Sequence, residues 1–102
     1  KKLSLIQNID KKIPLDEISD SRGIEFNELL LELESIVFSG TKLDIDYYLE
    51  EILDEDQQEE LKDYFLESES EDISIALKEF DGEYDEEELR LYRIKFLNDV
   101  SN

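Results

Sequence analysis

Cysteine, histidine, methionine and tryptophan are all missing from this 102-residue chain, proline occurs once and glycine three times. Without cysteine there is no disulfide, and without cysteine or histidine the usual ligands of zinc, iron-sulfur and haem sites are gone. The lack of histidine also removes the side chain most used as a general base at neutral pH. A chain free of cysteine suits a reducing compartment. No apolar run approaches the roughly 20 residues that span a bilayer, and nothing at the start resembles a signal peptide. The expectation is a soluble, cytoplasmic protein. Methionine is absent even from position 1, which suggests a segment excised from a longer polypeptide.

Positive charge is scarce as well. Eleven bases stand against 30 acids, for a formal net charge of -19. Nonspecific affinity for a polyanion should therefore be poor, and a role on anionic membrane surfaces is disfavoured for the same reason. Apolar residues still make up 39% of the chain, enough for a modest core in one domain of ordinary size or two very small ones. The charge is uneven: residues 1–42 hold six bases and eight acids, a net of -2, and residues 43–102 hold five bases and 22 acids, a net of -17. We expect a single helical domain over residues 1–102, with a helix-turn-helix half (1–42) and an acidic helical half (43–102).

Helical periodicity runs through most of the chain. Leu3, Ile6 and Ile9 share one face of a short first helix, ended by Lys11, Lys12, Ile13 and Pro14. Pro14 suits the start of a second helix carrying Ile18 inward, and Gly23 can supply the positive backbone angle of a turn. Phe26, Leu29, Leu30, Leu33, Val37 and Phe38 form a stripe that stops at Gly40. Leu43, Ile45 and Tyr47 alternate, which fits either a short wing-like strand near residues 43–47 or the lead-in to a helix capped by Asp46 and carrying Leu49, Ile52 and Leu53. A further helix from Asp54 or Asp56 carries Leu61, Tyr64, Phe65 and Leu66 and exits at residues 68–70. Ile73, Ala76, Leu77 and Phe80 mark the next, closed by Asp81 and Gly82. Asp85 with Glu88 makes a capping box for a last helix with Leu89, Tyr92, Ile94, Phe96 and Leu97. Five to seven helices with links of two to five residues make an all-α domain.

Several fragments resemble catalytic or metal motifs without completing them. Residues 44–55 begin like a calcium loop with Asp44 and Asp46, but Tyr48 and Leu49 stand where an oxygen ligand and a glycine are needed. "DEDQ" (54–57) resembles the acidic metal-holding motif of nucleotide hydrolases, yet no glycine-rich phosphate loop accompanies it. A helix N-terminus explains both. Carboxylate pairs are so abundant that they carry no signal, and the five tyrosines, lacking neighbouring bases, fit the wet edge of a core. The segment itself carries no catalytic motif, no metal site and no cofactor site.

"PLDEISDSRGIEFNELL" (14–30) has the layout of a helix-turn-helix: Ser19 is small four residues before Gly23, and Ile18, Ile24 and Leu29 are apolar where the two helices pack. Leu15 and Val37 extend that face. The run from Ile13 to Leu49, with "DEIS", Arg22-Gly23, "SGTKLDID" (39–46) and the closing "EEELRLYRIKFL" (86–97), resembles the C-terminal helix-turn-helix domain of RecQ-type ATP-dependent DNA helicases, in particular the form in Bacteroidetes-like bacteria. The resemblance covers nearly the whole chain. It implies a parent with a two-lobed ATPase motor using ATP and Mg, a zinc-binding and winged-helix region, and with or without a further helical nucleic-acid-binding domain, all before residue 1, serving DNA unwinding in recombination and repair. It carries over Ile18, Ser19, Arg22 and Gly23 as packing and turn, and residues 25–34 as the exposed second helix.

That second helix departs from a DNA reader. Glu25, Glu28, Glu32 and Glu34 lie there without a base, and Asn27 and Ser35 are its only side chains able to donate to a base edge. Two classes of function follow. In one, Lys1, Lys2, Lys11, Lys12, Arg22, Asn27 and Lys42 touch DNA as an accessory contact of the helicase. In the other, an acidic module docks a basic protein partner or the helicase core and does not bind DNA. Arg90 and Arg93 share a helix face, where Glu86 and Glu87 can pair with them.

Overall fold

Among the described residues the apolar periods resolve into seven helices: α1 (Lys2–Asp10), α2 (Leu15–Arg22), α3 (Phe26–Phe38), α4 (Asp46–Ile52), α5 (Glu55–Glu67), α6 (Ile73–Phe80) and α7 (Glu86–Val100). The computed structural model describes residues 2–68 and 72–100, with side chains from Ser4 onward. The fold is all-α, with no strand among the described residues. Residues 43–47, the would-be wing, form the end of an extended link and the start of α4. Leu43 and Ile45 are both buried, which accounts for the alternation, but the backbone of Leu43 pairs with a side chain instead of a strand. Its N–H donates to Asn98 Oδ1 at 2.9 Å, and its carbonyl accepts from Asn98 Nδ2 at 2.8 Å. One asparagine on α7 thus satisfies both polar groups that a neighbouring strand would have met.

Acidic side chains start most of the helices. Asp54 accepts from the Gln57 N–H at 2.8 Å while Gln57 accepts from the Asp54 N–H at 2.9 Å. Asp85 and Glu88 exchange the same pair of bonds ahead of α7, and Asp72 accepts from the Ser74 N–H ahead of α6. Each carboxylate satisfies N–H groups that the first turn leaves open and sits at the positive end of the helix dipole. The "DEDQ" stretch is therefore a cap. The start of α4 differs from expectation: its N-cap is Ile45, whose side chain makes no cap bond, Asp46 is its first helical residue, and Asp44 accepts from the Asp46 N–H at 3.1 Å. Asp46 is left to hold Lys95 at 2.8 Å. Because residues 46–52 are helical, the calcium-like stretch does not wrap around an ion.

α7 organises the interior. It packs on α3, α4, α5 and α6 and buries Leu89, Leu91, Tyr92, Ile94 and Phe96, nearly all round its circumference, as a central helix must. Phe65 of α5 stacks on Tyr92 at 6.1 Å and lies 5.6 Å from Phe96. The core draws on both halves of the chain, from Leu5 and Ile9 of α1 to Phe96. On α1 the deepest residues are Leu5 and Ile9, with Ile6 at the rim; the Leu3 side chain lies outside the described residues, as does Ser70 at the expected exit of α5. Two residues of the expected stripes face solvent instead: Phe38 is 65% exposed and Leu66 58%. Phe38 follows Val37 by a full 100° of helical rotation, and Leu66 lies about 140° from Leu61, so neither shares the buried face. A radius of gyration of 13.3 Å matches the roughly 13 Å of a compact chain of this length.

Candidate functional site

α2 and α3 meet in a turn at Gly23. Gly23 adopts φ 70°, its N–H donates to the Asp20 carbonyl, and the Ile24 N–H donates to the Ser19 carbonyl, both at 3.1 Å. A Cβ at Gly23 would meet nothing within 4 Å, so the backbone angle, not crowding, calls for glycine. Ile18, Ser19 and Leu29 are buried, with Leu15 and Val37 beside them and Ile24 half-buried. The Ser19 hydroxyl donates to the Asp16 carbonyl at 2.9 Å, which satisfies the one polar group that this position hides.

The residues proposed to touch DNA lie on separate elements. Arg22 donates to Ser4 Oγ at 3.2 Å and stands 3.9 Å from the Glu32 carboxylate, so its guanidinium ties α2 to α1 and α3. Lys11 and Lys12 are exposed just beyond the other end of α1, about 10 Å along the axis from Ser4. Lys42 is exposed at the start of the extended link. Asn27 accepts from Arg90 Nη1 at 3.3 Å, which occupies the oxygen of its amide. Lys1 and the Lys2 side chain lie outside the described residues.

Nor is α3 simply an exposed acidic helix. Leu29, Leu30, Leu33 and Glu34 of residues 25–34 are buried. Glu34, only 7% exposed, accepts from Arg93 at 2.5 Å and from Arg90 at 3.5 Å. These arginines, whose expected partners were Glu86 and Glu87, take Glu34 as the carboxylate they share, with Glu86 a more distant 3.9 Å from Arg90. The pairing fixes α3 on α7 and leaves Leu31, 60% exposed, and Phe38 on the outer face with Glu28 and Ser35. Leu31, Ser35 and Phe38 fall within about 60° of one another around the helix.

In front of the turn lies a cavity of about 900 Å³. Asp16 and Asp20 reach it from α2, Glu25 and Glu28 from the start of α3, and Asp85, Glu87 and Glu88 from the start of α7; no base lines it. Phe26 and Tyr48, 6.4 Å apart, form part of its wall. Burial, and then the carboxylates Asp16, Glu87 and Glu51, push the Tyr48 phenol above its ordinary pKa. Two helix N-termini open here, yet Glu25 N–H already donates to Glu28 and Asp85 N–H to Glu88. Both termini are thus supplied with negative charge from within the chain. An anion gains little at either one. The capping box at Asp85 was legible in the sequence, whereas its position against α2 and the start of α3, more than 55 residues upstream, depends on the tertiary fold.

Comparison with protein families matches residues 1–49 to the RecQ-1-like, helix-turn-helix domain. A comparison with curated proteins finds no match. The matched segment runs from α1 into the middle of α4 and contains the turn at Gly23; residues 86–97, counted in the wider resemblance, fall outside it. No described helix is long and apolar enough to cross a membrane. Over residues 1–49, just under half of the chain, the sequence is similar to the RecQ-1-like helix-turn-helix domain.

Proposed function

We propose that this chain is an accessory domain of a RecQ-type DNA helicase, and that it serves the helicase by docking a basic protein surface instead of reading duplex DNA through α3. The cavity in front of the turn carries the proposal: seven carboxylates and no base converge where a groove-reading helix would meet phosphates. Phosphate brought there would meet like charge, whereas lysine or arginine side chains would meet opposite charge. Arg22 and Asn27, the two polar candidates nearest the turn, are engaged with Glu32 and Arg90. The basic surface can belong to a separate protein or to the parent helicase itself.

Labelled single-stranded, duplex and forked DNA, titrated with the chain at low and raised salt, tests this reading. The expected result is no binding in the micromolar range even at low salt. In parallel, a labelled oligolysine peptide should bind, and Asp20→Asn with Glu87→Gln should weaken it. Salt-sensitive DNA binding that is lost on changing Lys11 and Lys12 to Glu would refute docking and establish a DNA-contacting arm. The exposure of those two lysines is the one observation that favours this second reading.

A further inference from the structure

We infer that the groove between α5 and α7 is a docking site for a basic amphipathic helix of a protein partner. Leu53, Tyr92 and Phe96 form its floor, while Leu66 and Val100, 58% and 54% exposed, stand open along it. The spacing on each wall is helical. α7 contributes Tyr92, Lys95, Phe96, Asp99 and Val100, and α5 contributes Glu55, Gln58, Glu59, Lys62 and Leu66. From Glu55 to Leu66 the wall extends about 16 Å, the length of three turns of a bound helix. The groove encloses about 520 Å³, room for a row of apolar side chains at the spacing by which amphipathic helices anchor in grooves.

Charge decides what fills it. Asp46, Glu50, Asp54, Glu55, Glu59 and Asp99 rim the groove against two lysines. Of these, Lys95 is held by Asp46 at 2.8 Å and Asp99 at 3.2 Å. Its ammonium loses stability by burial, but these two carboxylates outweigh that and raise its pKa. A second copy of this chain, with the same net charge of -19, would bring acid against acid. A wholly apolar partner would strip water from the rim carboxylates without replacing it. Nucleic acid and anionic lipid are repelled as at the helix-turn-helix. A helix with leucine-like residues at i, i+3, i+4 and i+7 and flanking lysine or arginine meets both the floor and the rim.

The inference rests on the docking reading above but places a contact on a different surface, of whose lining residues Asp46 alone falls within residues 1–49. Two labelled peptides of about 16 residues, made of leucine and lysine in equal composition, test it: one gathers its leucines on one helical face, the other scatters them. Each is titrated with the full chain and followed by fluorescence anisotropy. The segregated peptide should bind about tenfold tighter than the scattered one. Leu66→Asp with Val100→Asp should abolish that preference, although the added charge alone would strengthen attraction for lysine. Asp20→Asn with Glu87→Gln should leave the preference intact. Equal affinity for both peptides, or a preference that survives Leu66→Asp and Val100→Asp, overturns the groove. If the preference disappears instead with Asp20→Asn and Glu87→Gln, docking stands at the helix-turn-helix and the groove is refuted.

Discussion

Replacing Glu34 with alanine is the sharpest probe of how the two halves are joined. Glu34 is buried between two guanidiniums whose side chains are only 11% and 18% accessible. Breaking a buried ion pair from one side usually costs about 3–5 kcal/mol, because the surviving charge stays desolvated. Arg90 keeps Asn27 at 3.3 Å and Glu86 at 3.9 Å, which places Glu34→Ala near the lower end, about 3 kcal/mol. Against a total stability of about 5–15 kcal/mol for a domain of this kind, that loss is large. It should appear as a fall in the urea midpoint at unchanged m, and as a drop in Tm of roughly 10–20 °C. A companion variant with Glu34→Leu, Arg90→Met and Arg93→Leu removes every charge of the cluster and should be close to neutral or more stable. If Glu34→Ala costs less than about 1 kcal/mol, the cluster is solvated and the reasoning fails.

Four further outcomes are expected. Gly23→Ala should cost about 1–2 kcal/mol in urea unfolding, from backbone strain at φ 70° alone, since the added Cβ has open space. Conversely, Lys12→Gly should raise stability by up to about 1 kcal/mol, because Lys12 holds φ 62° without being glycine; no gain would mean that the left-handed angle is not populated. Asn98→Ala should cost about 1–3 kcal/mol by leaving the N–H and carbonyl of buried Leu43 without that partner. Tyr47 donates to the Ile13 carbonyl, and burial, followed by Asp44 and Tyr48, pushes its pKa up to about 12. With the folded value above the ordinary 10.0, the unfolded chain loses this proton first. The stabilisation is complete below about pH 10 and is lost between about 10 and 12, and Tyr47→Phe should remove the part of the phenolate absorbance titration near pH 12 that this residue supplies.

Local chemistry was the legible part of this molecule. Asp54, Asp85 and Gly23 declare themselves within three or four residues, since a cap or a turn is made from its own neighbours. Stripe membership was legible wherever periodicity was unambiguous, as at Leu29, Leu30 and Leu33, and failed at Phe38 and Leu66 because an apolar residue adjacent to a stripe looks like part of it. The alternation of Leu43 and Ile45 left a strand open beside the lead-in to a helix, since two buried residues in a link have the same period as a strand with one buried face. Glu34 was not legible at all: its inward position depends on arginines 56 and 59 residues further on. The same holds for the acidic cavity, whose members come from α2, α3 and α7.

The central place of α7 has a consequence for how the protein comes into being. It is synthesised after the other six described helices, yet it packs on α3 and supplies both arginines for Glu34. While the ribosome is still producing α5 and α6, the nascent helix-turn-helix has its turn and caps but lacks the helix that packs on α3 and pairs with Glu34. Early secondary structure can form during translation, but the complete core closes only after the stretch from Leu89 to Phe96 has emerged. Nascent chains arrested before Leu89 should therefore be digested readily by protease, and chains released beyond Val100 should resist it.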